Sequence, residues 1–92
     1  VEYHFITWDG TDATEEVSTG LTEIYAHFVG VAHGANAGHT EEDLGFLEID
    51  ETADANGVIT VSSGAITVNR IASSADGTLG DQQTMLVLIG QS

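Results

Sequence analysis

Residues 84–90, Thr-Met-Leu-Val-Leu-Ile-Gly, carry five consecutive apolar side chains, Met85 to Ile89. Successive side chains of an extended strand point to opposite faces, so such a run needs cover on both. The segment therefore belongs at the centre of a sheet or at a subunit contact.

The rest of the chain supplies shorter stretches of the same kind. Residues 1–8 alternate, with His4, Ile6 and Trp8 on one face and Tyr3, Phe5 and Thr7 on the other. Residues 9–20 contain Asp-Gly, several acids and Ser-Thr-Gly, with Val17 the only larger apolar residue, and read as an exposed connection. In residues 21–32, Leu21, Ile24, Tyr25 and Phe28 also fit a helical spacing, but the β-branched and aromatic residues and Gly30 favour a strand. That strand would carry Ile24, Ala26, Phe28 and Gly30 on one face and Tyr25, His27, Val29 and Val31 on the other. Residues 33–43 read as a loop, and residues 44–51 as a strand with Leu47 and Ile49 inward and Glu48 and Asp50 outward. Asn56-Gly57 signals a hairpin, with Val58 to Val61 as its return strand. Ser62-Ser63-Gly64 then reads as a second tight turn into Ala65–Ile71, so that residues 57–70 form a hairpin stacking Ile59, Val61, Ile66 and Val68 into a core. Residues 72–83 are a flexible connection. The expectation is an all-β fold, a small antiparallel β-sandwich or barrel of about six strands, in a single domain over residues 1–92.

Composition bounds what such a fold can do. Fifteen acids face one basic side chain, Arg70, giving a formal charge of −14 and a pI near 4.1. A positive surface for phosphate cannot be assembled, which argues against nucleic acid and anionic lipid as partners. No apolar run approaches the roughly 20 residues that span a bilayer, and residues 1–8 lack the pattern of a signal peptide. A hydrophobic fraction of 41% argues for a packed fold rather than disorder. The charge then sits on the surface, where it repels itself at low ionic strength and is screened by salt. This fits adaptation to high salt; the alternative is an acidic protein that docks on a basic partner. At 92 residues a single core is near its lower limit, so a partner, a metal or a second copy is expected to help.

Candidate chemistry is sparse. There is no cysteine. His27, His33 and His39 recur every six residues, a spacing that suits neither strand nor helix metal pairs, and two fall in a glycine-rich loop. Asp50, Asp54 and Asn56 before Gly57 resemble part of a calcium loop, but Ser63 stands where the closing bidentate acid belongs. Glu41, Glu42 and Asp43 are adjacent carboxylates in a loop, not a converging acid–base pair. Ser62 and Ser63 lack a plausible base, and no phosphate-binding glycine motif is present. The expectation is a protein that is not an enzyme, with no cofactor and no metal site. Arg70 should find a carboxylate within the chain or across a subunit boundary. With Trp8, Tyr3 and Tyr25 as aromatic anchors, it makes up the expected interface set, against which core packing competes for each aromatic.

Residues 57–90 add a resemblance. "GVITVSSGAITVNRIASSADGTLGDQQTMLVLIG" looks like the ending of short β-rich virion proteins of tailed viruses, with a strand, a tight turn, a Thr-Val-x-Arg strand, a Ser/Gly loop and a last apolar strand. Several such proteins are head decoration, or cement, proteins. The resemblance implies a structural protein on the capsid surface that binds the major capsid protein or other virion proteins, commonly as a trimer or other small homo-oligomer. Joined to the acidic composition, it implies a tailed virus of a salt-loving archaeon. Tail or head-completion protein is the next reading. A free-standing acidic, cation-dependent adhesion or carbohydrate-binding β-module is the alternative from another class, and a histidine-dependent metalloenzyme is a third.

Overall fold

A computed structural model describes residues 1–31, 45–72 and 82–92. Seven strands are present: β1 Glu2–Trp8, β2 Thr14–Ser18, β3 Glu23–Val31, β4 Gly45–Ile49, β5 Ile59–Thr60, β6 Ala65–Ala72 and β7 Gln82–Gln91. They form a four-stranded sheet A in the order β1-β7-β3-β5 and a three-stranded sheet B in the order β2-β6-β4, all pairs antiparallel. The two sheets make a small all-β sandwich, with no helix among the described residues. The expected loops at 33–43 and 72–83 fall almost wholly outside those residues.

The core follows from alternation. Ile6, Trp8, Ile24, Leu86 and Leu88 of sheet A meet Val17, Ile66, Val68 and Leu47 of sheet B, with Leu21 and Val61 added from the connections. Leu47 is buried and Glu48 exposed, as the alternation requires. β7 lies at the centre of sheet A, between β1 and β3. Its inward Leu86 and Leu88 are fully buried.

One more strand is found than expected. Residues 14–18 pair with β6 along the edge of sheet B, Val17 opposite Ile66 and Glu15 opposite Val68. A single large inward residue is enough there, because an edge strand gains its ladder from one neighbour; Glu16 faces water, and Glu15, on the Val17 side, is half-buried at the edge.

The chain changes sheet at every connection: odd-numbered strands lie in sheet A and even-numbered ones in sheet B. This corrects the expected hairpins. β5 pairs with β3 and β6 pairs with β2 and β4, so Ser62-Ser63-Gly64 arches between sheets instead of closing a ladder. Gly64 does take a left-handed conformation, with φ of 76°. Ile66, Val68 and Val61 still reach one core, from opposite sheets. At Asn56-Gly57 the turn is tight, with Gly57 at φ of 81°. Asp54 O accepts from Gly57 N at 3.0 Å, and Asp54 Oδ1 accepts from Asn56 N at 2.8 Å and Val58 N at 3.0 Å. A single bridge, Ala53 to Ile59, follows it in place of a return strand. The winding is that of an eight-stranded jelly roll with its fifth strand missing.

Candidate interaction face

The outward side chains of sheet A carry the most unusual surface of the molecule. On β1 these are Tyr3 and Phe5, 69% and 70% exposed. Register puts Tyr3 beside Val87 and Phe5 beside Met85 on β7, and puts Val87 and Met85 beside Phe28 and Gly30 on β3. Ile89, opposite Ala26, extends the row. Phe28 is 60% exposed, while Met85, Val87 and Ile89 are half-buried between their neighbours. The result is two aromatic ridges flanking a lower aliphatic strip, with a hollow at Gly30, where an added Cβ would meet nothing within 4 Å. Neither acid nor base stands in these rows. The apolar run of β7 is thus covered by the core on one side and, among the described residues, left open on the other.

The outer face of sheet B is mostly polar, with Ile71, 50% exposed, at one end. Thr14, Glu16, Ser18 and Glu48 are exposed there, with Thr67 and Asn69 between them. Exposed Asp9 and Asp12 lie in the β1–β2 connection, and Asp50, Glu51 and Asp54 in the β4–β5 connection. Among the described residues, carboxylates therefore occupy the loops and the outer face of sheet B, and reach the outer face of sheet A only at Glu23, at one end of β3.

A bulge on β3 produces this arrangement. Ile24 pairs with Gly90 but Ala26 pairs with Ile89, so Tyr25 is an extra residue. The insertion flips the alternation. Ile24 points into the core, whereas Ala26, Phe28 and Gly30 point outward and do not share its face as the uninterrupted alternation predicts. Phe28 reaches the surface by this step.

The expected interface residues separate into two pairs. Tyr3 lies on the apolar face. Tyr25, 47% exposed at the bulge, donates its hydroxyl to Glu23 Oε2 at 2.7 Å, with Gln91 Oε1 at 3.0 Å. The hydrogen bond to the Glu23 carboxylate pushes the phenol pKa up. Trp8 and Arg70, in contrast, are interior, 0% and 2% exposed, and are corrected from surface anchors to core residues. The Arg70 guanidinium stacks 4.9 Å from the Trp8 ring centroid. Its Nε and Nη2 donate to Asp12 O at 3.1 and 2.6 Å, Nη2 also to Gly10 O at 3.3 Å, and Nη1 to Gln82 Oε1 at 3.3 Å. The fork of donors thus ties the β1–β2 connection and β7 to β6, while Trp8 Nε1 donates to Thr84 Oγ1 at 3.1 Å.

The other end of the sandwich is closed by Glu2. Its Oε1 accepts from Thr19 Oγ1 at 2.6 Å and His4 Nε2 at 2.8 Å, and its Oε2 accepts from Gly20 N at 2.8 Å. The Thr19 hydroxyl above all, then His4 and the Gly20 amide, hold the carboxyl below the usual glutamate range, against an opposing pull from partial burial. His4 borders a shallow cleft of about 210 Å³ where β1 and β2 diverge, also lined by Ile6, Glu15 and Val17. Its ring is already engaged by Glu2, so the pair reads as a tie between β1 and the β2–β3 turn. Of the other candidates, His27 is exposed on β3, the Asp54 carboxylate is spent on its own turn, and His33, His39, Glu41, Glu42 and Asp43 lie outside the described residues. Among the described residues no group of three or more acidic or histidine side chains converges in a way that could hold a metal ion.

Compared with protein-family models, curated proteins and solved structures, the chain matches none.

Proposed function

We propose that this chain is a structural subunit of a virion, a head decoration protein that acts by adhesion and performs no catalysis. The observation that carries the reading is the apolar centre of the outer face of sheet A, where the rows from Tyr3 to Gly30 hold no charged side chain and Glu23 stands beyond them at one end. Large exposed apolar patches on a small soluble fold mark interaction sites, and this one holds three aromatics of the type that anchor interfaces. The three together expose on the order of 400 Å², given roughly 200 Å² for a whole aromatic side chain. The winding supports the reading by analogy, because jelly rolls serve as capsid domains among other roles. Acids over the loops and sheet B suit a particle that works in concentrated salt.

The test is mass spectrometry of virus particles purified in molar salt. The chain is expected in stoichiometric amount with the major capsid protein and released on dilution into low salt. Its recovery only from the soluble cell fraction would overturn the proposal. The exposed aromatics of sheet A also favour the carbohydrate-binding module. Sedimentation with insoluble polysaccharide, with and without a calcium chelator, separates the two: cation-dependent retention would favour the sugar reading.

A further inference from the structure

We infer that the outer face of sheet A is covered by the same face of a second copy of this chain, the two related by a two-fold axis. The inference rests on reading the chain as an assembly subunit and names the first partner of that face.

Three features point to a second copy. The relief is self-complementary: Phe28 projects from β3 and the Gly30 hollow lies two residues along the same face. In a two-fold pair, Phe28 of each copy can seat in the other's hollow, the reciprocal contact that an isologous interface requires. The size is right as well. Four strands spaced roughly 4.8 Å apart, with lengths up to ten residues at roughly 3.3 Å each, give a face on the order of 500 Å² before relief is counted. That is a large part of the roughly 800 Å² per partner found in stable complexes. Finally, charge directs the contact. With a net charge of −14 and exposed acids on sheet B and both acidic connections, contacts through those described surfaces set like charges together, whereas the rows from Tyr3 to Gly30 hold none and Glu23 lies beyond them. Repulsion thus disfavours those contacts and favours a closed pair. A trimer, which the resemblance implies, needs two different complementary patches, whereas Phe28 and the Gly30 hollow lie on one.

The experiment is light scattering on the purified protein in molar salt and after dilution to about 10 mM, where the Debye length grows to roughly 30 Å. The expected result is a mass of twice 9.6 kDa in molar salt, falling toward the monomer on dilution. Phe28→Glu should weaken the pair by at least ~30-fold, the loss given by a hot-spot anchor. Gly30→Leu fills open space without touching the core, and should do the same while leaving the melting temperature of the separated chain unchanged. Thr67→Glu on sheet B should leave the pair intact. A monomer at every salt concentration, a trimer, or variants that pair as tightly as the wild type would overturn the inference. A monomer that still occurs in particles would sink this inference and spare the virion reading; a two-fold pair found only in the soluble fraction would do the reverse.

Discussion

Two residues close the ends of this sandwich, and each does so by satisfying backbone and polar groups where the sheets part. Glu2 contributes stability through its ionised form. Its pKa is lowered on folding, so the contribution is complete above the unfolded value and is lost as pH falls through the lower folded one. Acid titration of unfolding should therefore show a loss as pH falls below the ordinary glutamate value that Glu2→Gln largely removes, at a cost of about 1 kcal/mol at pH 7. If both proteins share one acid profile, this tie carries no weight. Arg70→Lys should cost about 3 kcal/mol by urea melting, because an ammonium cannot serve the Gly10, Asp12 and Gln82 oxygens together or stack on Trp8 as a planar group. These roles were only partly readable beforehand. Alternation puts Trp8 beside Ile6 and Arg70 on the inward face with Ile66 and Val68, yet nothing local names the carbonyl partners that hold the guanidinium there, which lie about 60 positions away in the chain.

Strands explain where sequence reading succeeds and where it stops. β1, β4 and β6 are legible from alternation, and β7 from its continuous apolar run. β2 is not, because Val17 is its one large apolar residue and its acids look like loop. The faces of β3 reversed after Ile24 because one inserted residue shifts parity, and a bulge leaves no signature in a pattern of apolar side chains. Its partner does leave one, in retrospect. A Cβ on Gly90 would run into the Glu23 carbonyl at the bulge, so only glycine allows β3 and β7 to approach there. Gly90→Ala should destabilise the fold by roughly 2 kcal/mol, as overpacking does, and broaden the amide signals of β3 around Tyr25. Equal stability would mean that the bulge relaxes freely.

Across the whole molecule, a charge of −14 on a body with a radius of gyration of 13.6 Å makes stability depend on salt. The melting temperature should rise by several degrees between about 0.05 and 1 M salt, as the Debye length shrinks to roughly 3 Å. Glu16→Gln with Glu48→Gln, on one face of sheet B, should flatten that dependence. An unchanged slope would place the repulsion elsewhere. The sandwich as a class was legible from strand spacing, but its winding was not, since connection length does not say whether the next strand stays in its sheet. That winding has a consequence for the chain as it is synthesised. No strand pairs with the one before it, and sheet A gains its central strand only from residues 82–91. On the ribosome the early strands must wait unpaired, so folding should be late and slow for so small a protein. The sticky face, whose middle row is β7 itself, comes into being only when that strand docks between β1 and β3, so self-association through it is a property of the folded sheet.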